Sequence, residues 1–496
     1  MNLSYINSVE VSFFSDAKEQ LEALINQLES ENYSTHEHGD IESHITKQGN
    51  EILRLLLQGW LDKKASDEKR HPYLKNSSGE SLNNVRHKTQ RKLTSLFGDV
   101  DVSRKSYGKP KQNSIFPIDA ELNIPTDQYS DGVRKRLSKE VIKSSFDDSI
   151  ESINETTGAE IPKRQSLNVV RNVAQDFEQY YEQNRFEEPE DTSGLLVLTF
   201  DGKGIVMRHD SLRDCTKKSA EKNKKLNSRL SPGEKKDRKR MAQVAAVYTA
   251  QPYIRTSESV MNITSNDDGN VLPFRSPILN KRVWASVERE AETVINEAFL
   301  EALQRDPKQE REWVVLIDGL PHQINLIKKI MKKLKVKATI VMDFIHVLEY
   351  LWKAAWCLFE SGDPKVEDWI TERAIKILNG DCSQVAKGIK LSATKRGLTK
   401  REGIDKCANY LLKNKPRLQY GKALAAGFPI ATGIIEGACR HIINDRLDIT
   451  GARWSLDGAE ALLKLRSLKS SGDFDKYWDF HKQQEKKRNY TFFEQS

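Results

Sequence analysis

Three short apolar runs, each ending in an aspartate, most constrain the fold of this chain. LLVLTFDG reaches its carboxylate at Asp201, WVVLIDG at Asp318 and VKATIVMDF at Asp343. Apolar runs of this length, bounded by turn residues, are typical of strands buried on both faces of a sheet. Helical patterns alternate with the later runs, so the sequence predicts a mixed α/β sheet rather than a helical repeat.

Further elements of the same sheet are expected between the first two runs. MAQVAAVYTA (241–250) is predicted as a second strand and YIRTSESVM (253–261) as a third. Apolar residues from Trp284 to Ala298 recur at spacings of three and four, which predicts a helix there. After Phe344 the chain returns to helical spacing, which predicts an all-helical stretch.

The chain before this sheet is predicted to be mainly helical, with a short hairpin around the turn residues Phe97-Gly98-Asp99. Apolar spacing from Ile142 to Ile153 predicts a helix, and a second helix follows with Lys163 and Arg164 at its start. Two helices joined by a short turn, with basic side chains opening the second, favour a helix-turn-helix that contacts a DNA groove. An ordinary pair of packed helices remains the alternative.

Positive charge is concentrated in one segment. The chain has 79 Lys and Arg against 71 Asp and Glu, a net charge of +8. Residues 212–240 alone contain twelve basic and four acidic side chains. The net charge of this segment therefore equals the net charge of the whole chain. A solvated loop is one interpretation, and a contact with nucleic-acid phosphate is the other. The residues predicted to bind DNA here are Lys235, Lys236, Arg238, Lys239 and Arg240.

Other features narrow the class of protein. No apolar run approaches the roughly 20 residues of a membrane-spanning helix, and the first residues lack the pattern of a secretory signal. Five cysteines lie far apart without a C-x-x-C pair, which favours free thiols over a disulfide framework. We therefore expect a cytoplasmic protein without a membrane partner.

The candidate catalytic residues are Asp201, Asp318 and Glu436. The first two follow buried strands and precede glycines, and Glu436 lies on a predicted helix. Converging carboxylates suit hard divalent cations, and two such ions can support displacement at a phosphodiester. For any one of these acids, an ordinary turn or strand-end position is the competing interpretation.

Several stretches together resemble one family. They are LTFDGKGIVMR, RLSPGEKKDRKRMAQVAAVY, WVVLIDG, MDFIHVLEYLWKAA and GIIEGACRHIINDRLDITGARWSLDGAEALLKLRS. From about Leu195 to Ser467 the chain resembles the DDE transposases of bacterial insertion sequences, and most closely the ISKra-type group. The resemblance implies a ribonuclease-H-like catalytic core with an all-α insertion before the last acid. It also implies Asp201, Asp318 and Glu436 as the residues that bind two Mg²⁺ or Mn²⁺ ions.

Asp343 and His346 match a further sequence element of related transposases, which precedes the insertion there. Asp343 and His346 fit its C/D-x-x-H pattern, which implies support of the active site; a histidine satisfied at a helix start is the alternative. Lys203, in DGKG, lacks the spacing of a phosphate loop and is expected beside the acids or DNA. A rival interpretation joins Asp318, His322, Asp343 and His346 in a zinc or manganese metallohydrolase site.

Basic and aromatic residues follow Glu436 closely. Arginines bind phosphates and an indole stacks on an unpaired base, so these residues are predicted DNA contacts. They are Arg440, Arg446, Arg453 and Trp454. The alternative is a basic amphipathic helix with a core tryptophan.

The predicted organisation has six parts. They are a helical region (1–75), a hairpin and linker (76–130), a helix-turn-helix-like DNA-binding region (131–190), the first part of the catalytic core with its basic loop 212–240 (191–345), a helical insertion (346–425), and the last part of the core with the C-terminal tail (426–496). The expected function is end binding, DNA cleavage and strand transfer, with double-stranded DNA of the terminal inverted repeats and the target as partner. Because two ends must be held together, we expect at least a dimer on DNA. The alternatives are a non-catalytic DNA-binding regulator and a ribonuclease-H-like nuclease.

Overall fold

The computed structural model describes residues 12–72, 74–75, 79–184, 190, 192–222, 236–262, 277–449 and 451–490. The chain divides into two compact units, and each is considered by itself. The first contains the described residues up to Tyr180 and those from Asp475 onward, and the second runs from Tyr181 to Phe474.

The first unit combines helices with one two-stranded sheet. Its elements are α1 (Ser15–Glu29), α2 (His38–Asp67), β1 (Asn84–Ser95), β2 (Gly98–Gly108), α3 (Pro117–Glu121), α4 (Asp131–Val141), α5 (Phe146–Thr156) and α6 (Lys163–Ala174). The predicted hairpin is present, with Ser95 paired to Gly98. Its core side chains pack against α2, where Leu61 contacts the cluster of Leu93, Val100 and Val102.

The predicted pair of helices is α5 and α6, and α4 packs against both. Ser145 caps α5 because its hydroxyl accepts a hydrogen bond from the Asp148 N–H at 3.1 Å. The expectation that Ile142 belongs to this helix is wrong: Ile142 ends α4 instead. Helical spacing continues across the break, so the periodicity alone concealed the cap between the two helices.

A five-stranded mixed sheet forms the centre of the second unit. Its strands are β3 (Leu195–Val206), β4 (Lys239–Ala250), β5 (Ile278–Ser286), β6 (Trp313–Ile317) and β7 (Thr339–Met342). Their spatial order is β5-β4-β3-β6-β7. β3, β4 and β5 pair antiparallel, whereas β6 and β7 run parallel to β3.

Helices account for most of the remaining chain. They are α7 (Phe177–Asn184), α8 (Asp214–Lys222), α9 (Ser257–Asn262), α10 (Ala291–Arg305), α11 (Pro321–Leu334), α12 (Phe344–Ala355), α13 (Lys365–Leu378), α14 (Cys382–Lys395), α15 (Glu402–Asn414), α16 (Tyr420–Ala425), α17 (Gly433–Ala438), α18 (Asp445–Leu447), α19 (Leu456–Ser471) and α20 (Phe474–Asn489). A π-helical segment, Cys439–Asn444, joins α17 to α18. The predicted helical stretch after Phe344 is therefore present as α12 to α16.

One predicted strand and the start of one predicted helix are wrong. YIRTSESVM contains α9 rather than a strand, and the third antiparallel strand is β5, which includes Trp284. The helix predicted from Trp284 begins only at Ala291. Val283, Trp284 and Ala285 are all buried, so the second half of β5 shows no alternation of buried and exposed residues, while the first three residues of the strand are all exposed.

The predicted final segment, 426–496, is divided between the units. Helix α19 packs on β5, where the Ser467 hydroxyl accepts a hydrogen bond from the Ala285 N–H at 3.2 Å. Residues from Asp475 onward group with the first unit instead. There a buried carboxylate of Asp176 lies 2.7 Å from the His481 ring, which fastens α20 to that unit.

Candidate metal centre

Three carboxylates lie level with one another across three neighbouring strands. Asp318 and Asp343 directly follow β6 and β7, but the prediction that Asp201 ends its strand is wrong, because β3 continues to Val206 and pairs Asp201 with Val244 of β4. The last register pair of β3 and β6 lies two residues before Asp201 and Asp318. The last pair of β6 and β7 lies one residue before Asp318 and Asp343. Because these three strands are parallel, their carboxyl-terminal directions coincide, and continuing the register brings the three acids into one row.

Asp318 stands at the centre of this row, and the neighbouring charges of Asp201, Asp343 and Glu436 all disfavour its ionisation. Burial, reinforced by the charge of Asp201, raises the pKa of Asp318 to about 6. Its backbone carbonyl accepts a hydrogen bond from the Tyr410 hydroxyl at 3.1 Å. A bound cation would relieve the repulsion among these carboxylates, so the cluster is suited to hold positive charge.

The turn after Asp318 requires glycine. Gly319 has a φ of +97°, a backbone conformation that residues with a Cβ rarely adopt. A Cβ atom there would also lie 2.1 Å from the Met342 Cε atom. The glycine therefore lets the chain leave β6 sharply while β7 packs closely beside it.

Asp343 is buried and forms the N-cap of α12. Its Oδ1 atom accepts a hydrogen bond from the Ile345 N–H at 3.0 Å, and its Oδ2 atom lies 2.6 Å from the Thr432 hydroxyl. The side chain is thus held in one orientation by two elements. Asp343 thus lies beside the acids, and its support of the active site stays a prediction.

Glu436 enters the same cluster from α17. Its Oε1 atom lies 3.5 Å from the Thr432 hydroxyl, which also contacts Asp343. Partial burial raises the pKa of Glu436, and the charge of Asp343, followed by that of Asp201, adds to the rise. The three predicted catalytic acids therefore belong to one electrostatic cluster, with Asp343 as a fourth member.

Cys439 contacts Asp201, a contact the sequence analysis missed. Its thiol donates a hydrogen bond to the Asp201 Oδ2 atom at 3.0 Å, while the Gly202 N–H donates to Oδ1 at 2.6 Å. Burial and the Asp201 charge raise the pKa of Cys439 well above its usual range, so it stays protonated. It opens the π-helical segment, and such segments occur frequently at functional sites.

One subset of this cluster has the spacing of metal ligands. Ligand atoms of Asp318, Asp343 and His346 all lie within 4.8 Å of one another. His346 adds a nitrogen ligand to two carboxylates, and its side chain is partly exposed. His322, the fourth ligand of the rival metallohydrolase interpretation, is not in this group. Asp201 and Glu436 lie outside the group as well.

The predicted basic contacts occupy different environments. Lys163, Arg164, Arg440 and Arg453 are exposed, whereas Lys203 and Arg238 are partly buried. Lys239 and Arg240 lie in β4 rather than in a loop. The Lys239 ammonium lies 2.9 Å from both carboxylate oxygens of Asp448, and the Arg240 Nε donates to the Val287 carbonyl at 2.8 Å. These two side chains therefore support the fold. Lys235 and the side chain of Lys236 lie outside the described residues.

Two other predicted DNA contacts are wrong. Arg446 is 3% exposed and Trp454 is 8% exposed, and the guanidinium lies over the indole at 5.0 Å. The indole N–H donates to the Leu447 carbonyl at 3.0 Å. Burial of the indole and its hydrogen bond satisfy both parts of this side chain, so it is a core tryptophan.

A basic cavity of about 370 Å³ lies beyond the ends of β3 and β4. Arg208, Arg238 and Arg453 line it together with His209 and Asp237. Arg208 and His209 were not among the predicted DNA contacts. A basic pair directly after the first strand was the available signal for them.

The described helices give no membrane-crossing candidate, because none combines enough length with enough apolar character. No protein-family model matches the sequence, and no curated protein matches it.

Proposed function

We propose that this chain is a DDE transposase that binds the ends of an insertion sequence and uses divalent metal ions to cleave and join DNA. The observation that carries the proposal is the row of Asp201, Asp318 and Asp343 on three parallel strands, joined by Glu436 from a helix. Nucleophilic displacement at a phosphodiester is supported by clustered carboxylates that hold cations beside the reacting phosphate. This cluster has that composition.

The fold supports the same proposal. Three antiparallel strands are followed by two parallel strands on the other side of β3, which agrees with a ribonuclease-H-like core. Helices α12 to α16 separate the strand acids from Glu436, as expected for an all-α insertion before the last acid. The resemblance of this part of the sequence to ISKra-type transposases points in the same direction.

In this proposal Asp201, Asp318 and Glu436 hold two Mg²⁺ or Mn²⁺ ions, which would activate the attacking oxygen and stabilise the leaving oxygen. The protein's own contribution is positioning. Asp343 holds the start of α12, and its contact with Thr432 sets the approach of Glu436. The pKa values of Asp318 and Glu436 are raised without a cation, so metal binding would favour their ionised forms and is coupled to their charge.

Double-stranded DNA is the proposed partner, and a dimer is the smallest assembly that holds two ends. Exposed arginines supply phosphate contacts in this proposal. They are Arg440 on the π-helical segment and Arg453 at the basic cavity. Phosphate contacts of this kind position DNA without reading its sequence.

The test uses a supercoiled plasmid carrying the gene with its flanking DNA. Wild-type protein with Mg²⁺ should nick this plasmid and join a freed end to a second plasmid, whereas Asp201→Asn should bind it without cutting. Glu360→Gln, which alters an exposed acid away from the row, should retain cutting. Retained cutting by Asp201→Asn would contradict the proposal. Binding without any metal-dependent cut by wild-type protein would favour a regulator, and cutting without joining would favour a nuclease.

A second candidate function rests on the ligand spacing of Asp318, Asp343 and His346. A mixed nitrogen and oxygen set favours zinc or manganese, as in metallohydrolases. Under this alternative, His346→Ala should abolish retention of zinc, while Asp201→Asn and Glu436→Gln should leave metal content unchanged. Metal analysis of the purified variants therefore separates the two candidates: loss of bound metal in Asp201→Asn contradicts the metallohydrolase.

A further inference from the structure

Helix α6 presents one polar face that contains no acidic residue. Its inner face is buried through Ser166, Val169, Val170 and Val173. Its outer face carries Arg164, Gln165, Asn168 and Asn172, all exposed. Spacings near four residues place these side chains on one side of the helix. Guanidinium and amide groups at such spacing are the groups that form paired hydrogen bonds with the edges of bases.

This face borders a groove of about 460 Å³. Asp127 and Tyr129 form the opposite wall, and the Tyr129 hydroxyl donates to the Gln165 Oε1 atom at 2.7 Å. The carboxylate of Asp127 lies 3.5 Å from the Arg134 guanidinium, which offsets its negative charge. Gln165 is therefore held against the wall, while Asn168 and Asn172 line the groove beside it.

Strand β1 carries a second basic surface in the same unit. Its register shifts between Arg86 and Thr89, and Lys88 there has a φ of +60°. A bulge of this kind redirects side chains, so Arg86, His87 and Lys88 are all exposed in succession instead of alternating. Lys92 is exposed further along, and its ammonium forms only a long ion pair, at 4.0 Å, with the exposed carboxylate of Asp99. The twelve-residue strand contains no acidic residue.

The groove and the strand are adjacent. The Thr94 N–H of β1 donates to the Gln128 carbonyl at 2.7 Å, and the Ser130 N–H donates to the Thr94 carbonyl at 3.0 Å. Both hydrogen bonds join the segment that forms the wall of the groove to one residue, Thr94, near the end of β1. The α6 face and the basic strand are held in one fixed arrangement within this unit.

We propose that α6 and β1 together form the surface that recognises duplex DNA, with α6 reading bases and β1 holding phosphates. Arg164, Asn168 and Asn172 are the base-reading residues, because arginine pairs with guanine and asparagine with adenine in the major groove. Lys88 and Lys92 contact the backbone, where positive charge gives affinity without sequence preference. This inference rests on the proposed DNA-binding function and specifies how the ends are recognised.

Lys163, predicted from the sequence as a DNA contact, has a smaller part in this surface. Its ammonium lies 2.6 Å from the Asp147 carboxylate of α5, so its charge is already paired. Replacing Lys163 by glutamine should therefore change DNA affinity less than replacing Lys88.

The test is a selection from a random duplex DNA library with the full-length protein. Wild-type protein should enrich one motif. Asn168→Ala and Asn172→Ala should each lower affinity for it by about 5- to 150-fold and relax the preference at one or two neighbouring positions. Lys88→Gln combined with Lys92→Gln should keep the motif and reduce the slope of log affinity against log salt by about 2. Lys18→Gln combined with Lys47→Gln, on exposed positions of α1 and α2, is the charge-matched control and should keep the slope close to that of the wild type.

Three results would overturn the inference: no enriched motif with wild-type protein, an unchanged motif and affinity in both asparagine variants, or an unchanged salt slope in the lysine variant. Asn168→Gln, which keeps the amide but lengthens the side chain, should alter the preferred base while leaving the melting temperature unchanged. Asp201→Asn should enrich the same motif as wild type. Failure of DNA cleavage with an intact selected motif would therefore contradict the proposed catalysis and leave this surface supported.

Discussion

Replacing Asp318 by asparagine should stabilise the metal-free protein at neutral pH. Burial and the neighbouring Asp201 charge raise the pKa of Asp318 from 3.8 to about 6, so ionising it in the folded protein is costly. At about 1.4 kcal/mol per pKa unit, this rise corresponds to about 3 kcal/mol. Because solvent reaches part of the carboxylate and screens it, we expect a gain of about 1–2 kcal/mol in the free energy of unfolding.

The pH dependence gives this prediction its sign. A raised pKa means that the folded protein keeps a proton which the unfolded chain has released between pH 3.8 and about 6. Wild-type stability from this group is therefore present below pH 3.8 and lost as pH rises through about 6. Asparagine does not titrate, so the variant should gain relative to wild type across this window and hold the gain above it.

The assay is thermal melting in EDTA at a series of pH values from about 4 to 8. A gain of 1–2 kcal/mol should raise the melting temperature of the second unit, which spans Tyr181–Phe474, by about 2–3 °C at pH 7. Glu360→Gln, the exposed control, should melt with the wild type. Adding Mn²⁺ should reverse the order, because only the wild-type cluster gains a bound cation. An Asp318→Asn protein that melts at or below the wild-type temperature at pH 7 in EDTA would refute the reasoning.

Three further substitutions or probes test the packing around the site. Gly319→Ala should destabilise the second unit by about 1–3 kcal/mol, because alanine would have to adopt a positive φ, whereas the flexible end of the Met342 side chain can move away from the added Cβ. Gly388→Ala in α14 should be neutral or slightly stabilising, and equal melting temperatures for the two variants would contradict this. Thiol titration of native protein at pH 8 should show fast reaction at exposed Cys215 and slow reaction at Cys439, because burial raises the pKa of Cys439. Fast labelling of Cys439, detected by mass spectrometry, would contradict its buried contact with the acid cluster. Trp454→Ala should lower the free energy of unfolding by about 3–5 kcal/mol as a core truncation, and a variant that melts like wild type but loses DNA affinity would restore a surface role for the indole.

Much of the sheet was predictable because apolar runs bounded by turn residues mark its buried strands. The runs ending at Asp201, Asp318 and Asp343 correspond to β3, β6 and β7. β5 was missed because its second half is buried without interruption and so shows no period of two. A chance spacing of three and four residues across its end then imitated a helix.

The candidate site was predictable only in part. Asp318 could be selected because a carboxylate directly after a buried strand emerges where that strand ends, whereas Asp201 was selected from the same pattern although β3 continues past it to Val206. The contact of Cys439 with Asp201 spans 238 positions, and that of Thr432 with Asp343 spans 89. Local patterns carry no information about such pairs, because they depend on how distant elements pack.

The positions of the basic residues could be read from the sequence, but their exposure to solvent could not. The sequence alone determined that basic residues concentrate in 212–240 and after Glu436, and that apolar runs alternate with helices. Only the tertiary structure decided which of those cations face solvent: Arg440 and Arg453 do, whereas Lys239 is paired and Arg446 is buried. The physical reason is that propensity and periodicity act over a few residues, whereas burial, ion pairing and the alignment of acids across parallel strands are set by contacts between segments far apart in the chain.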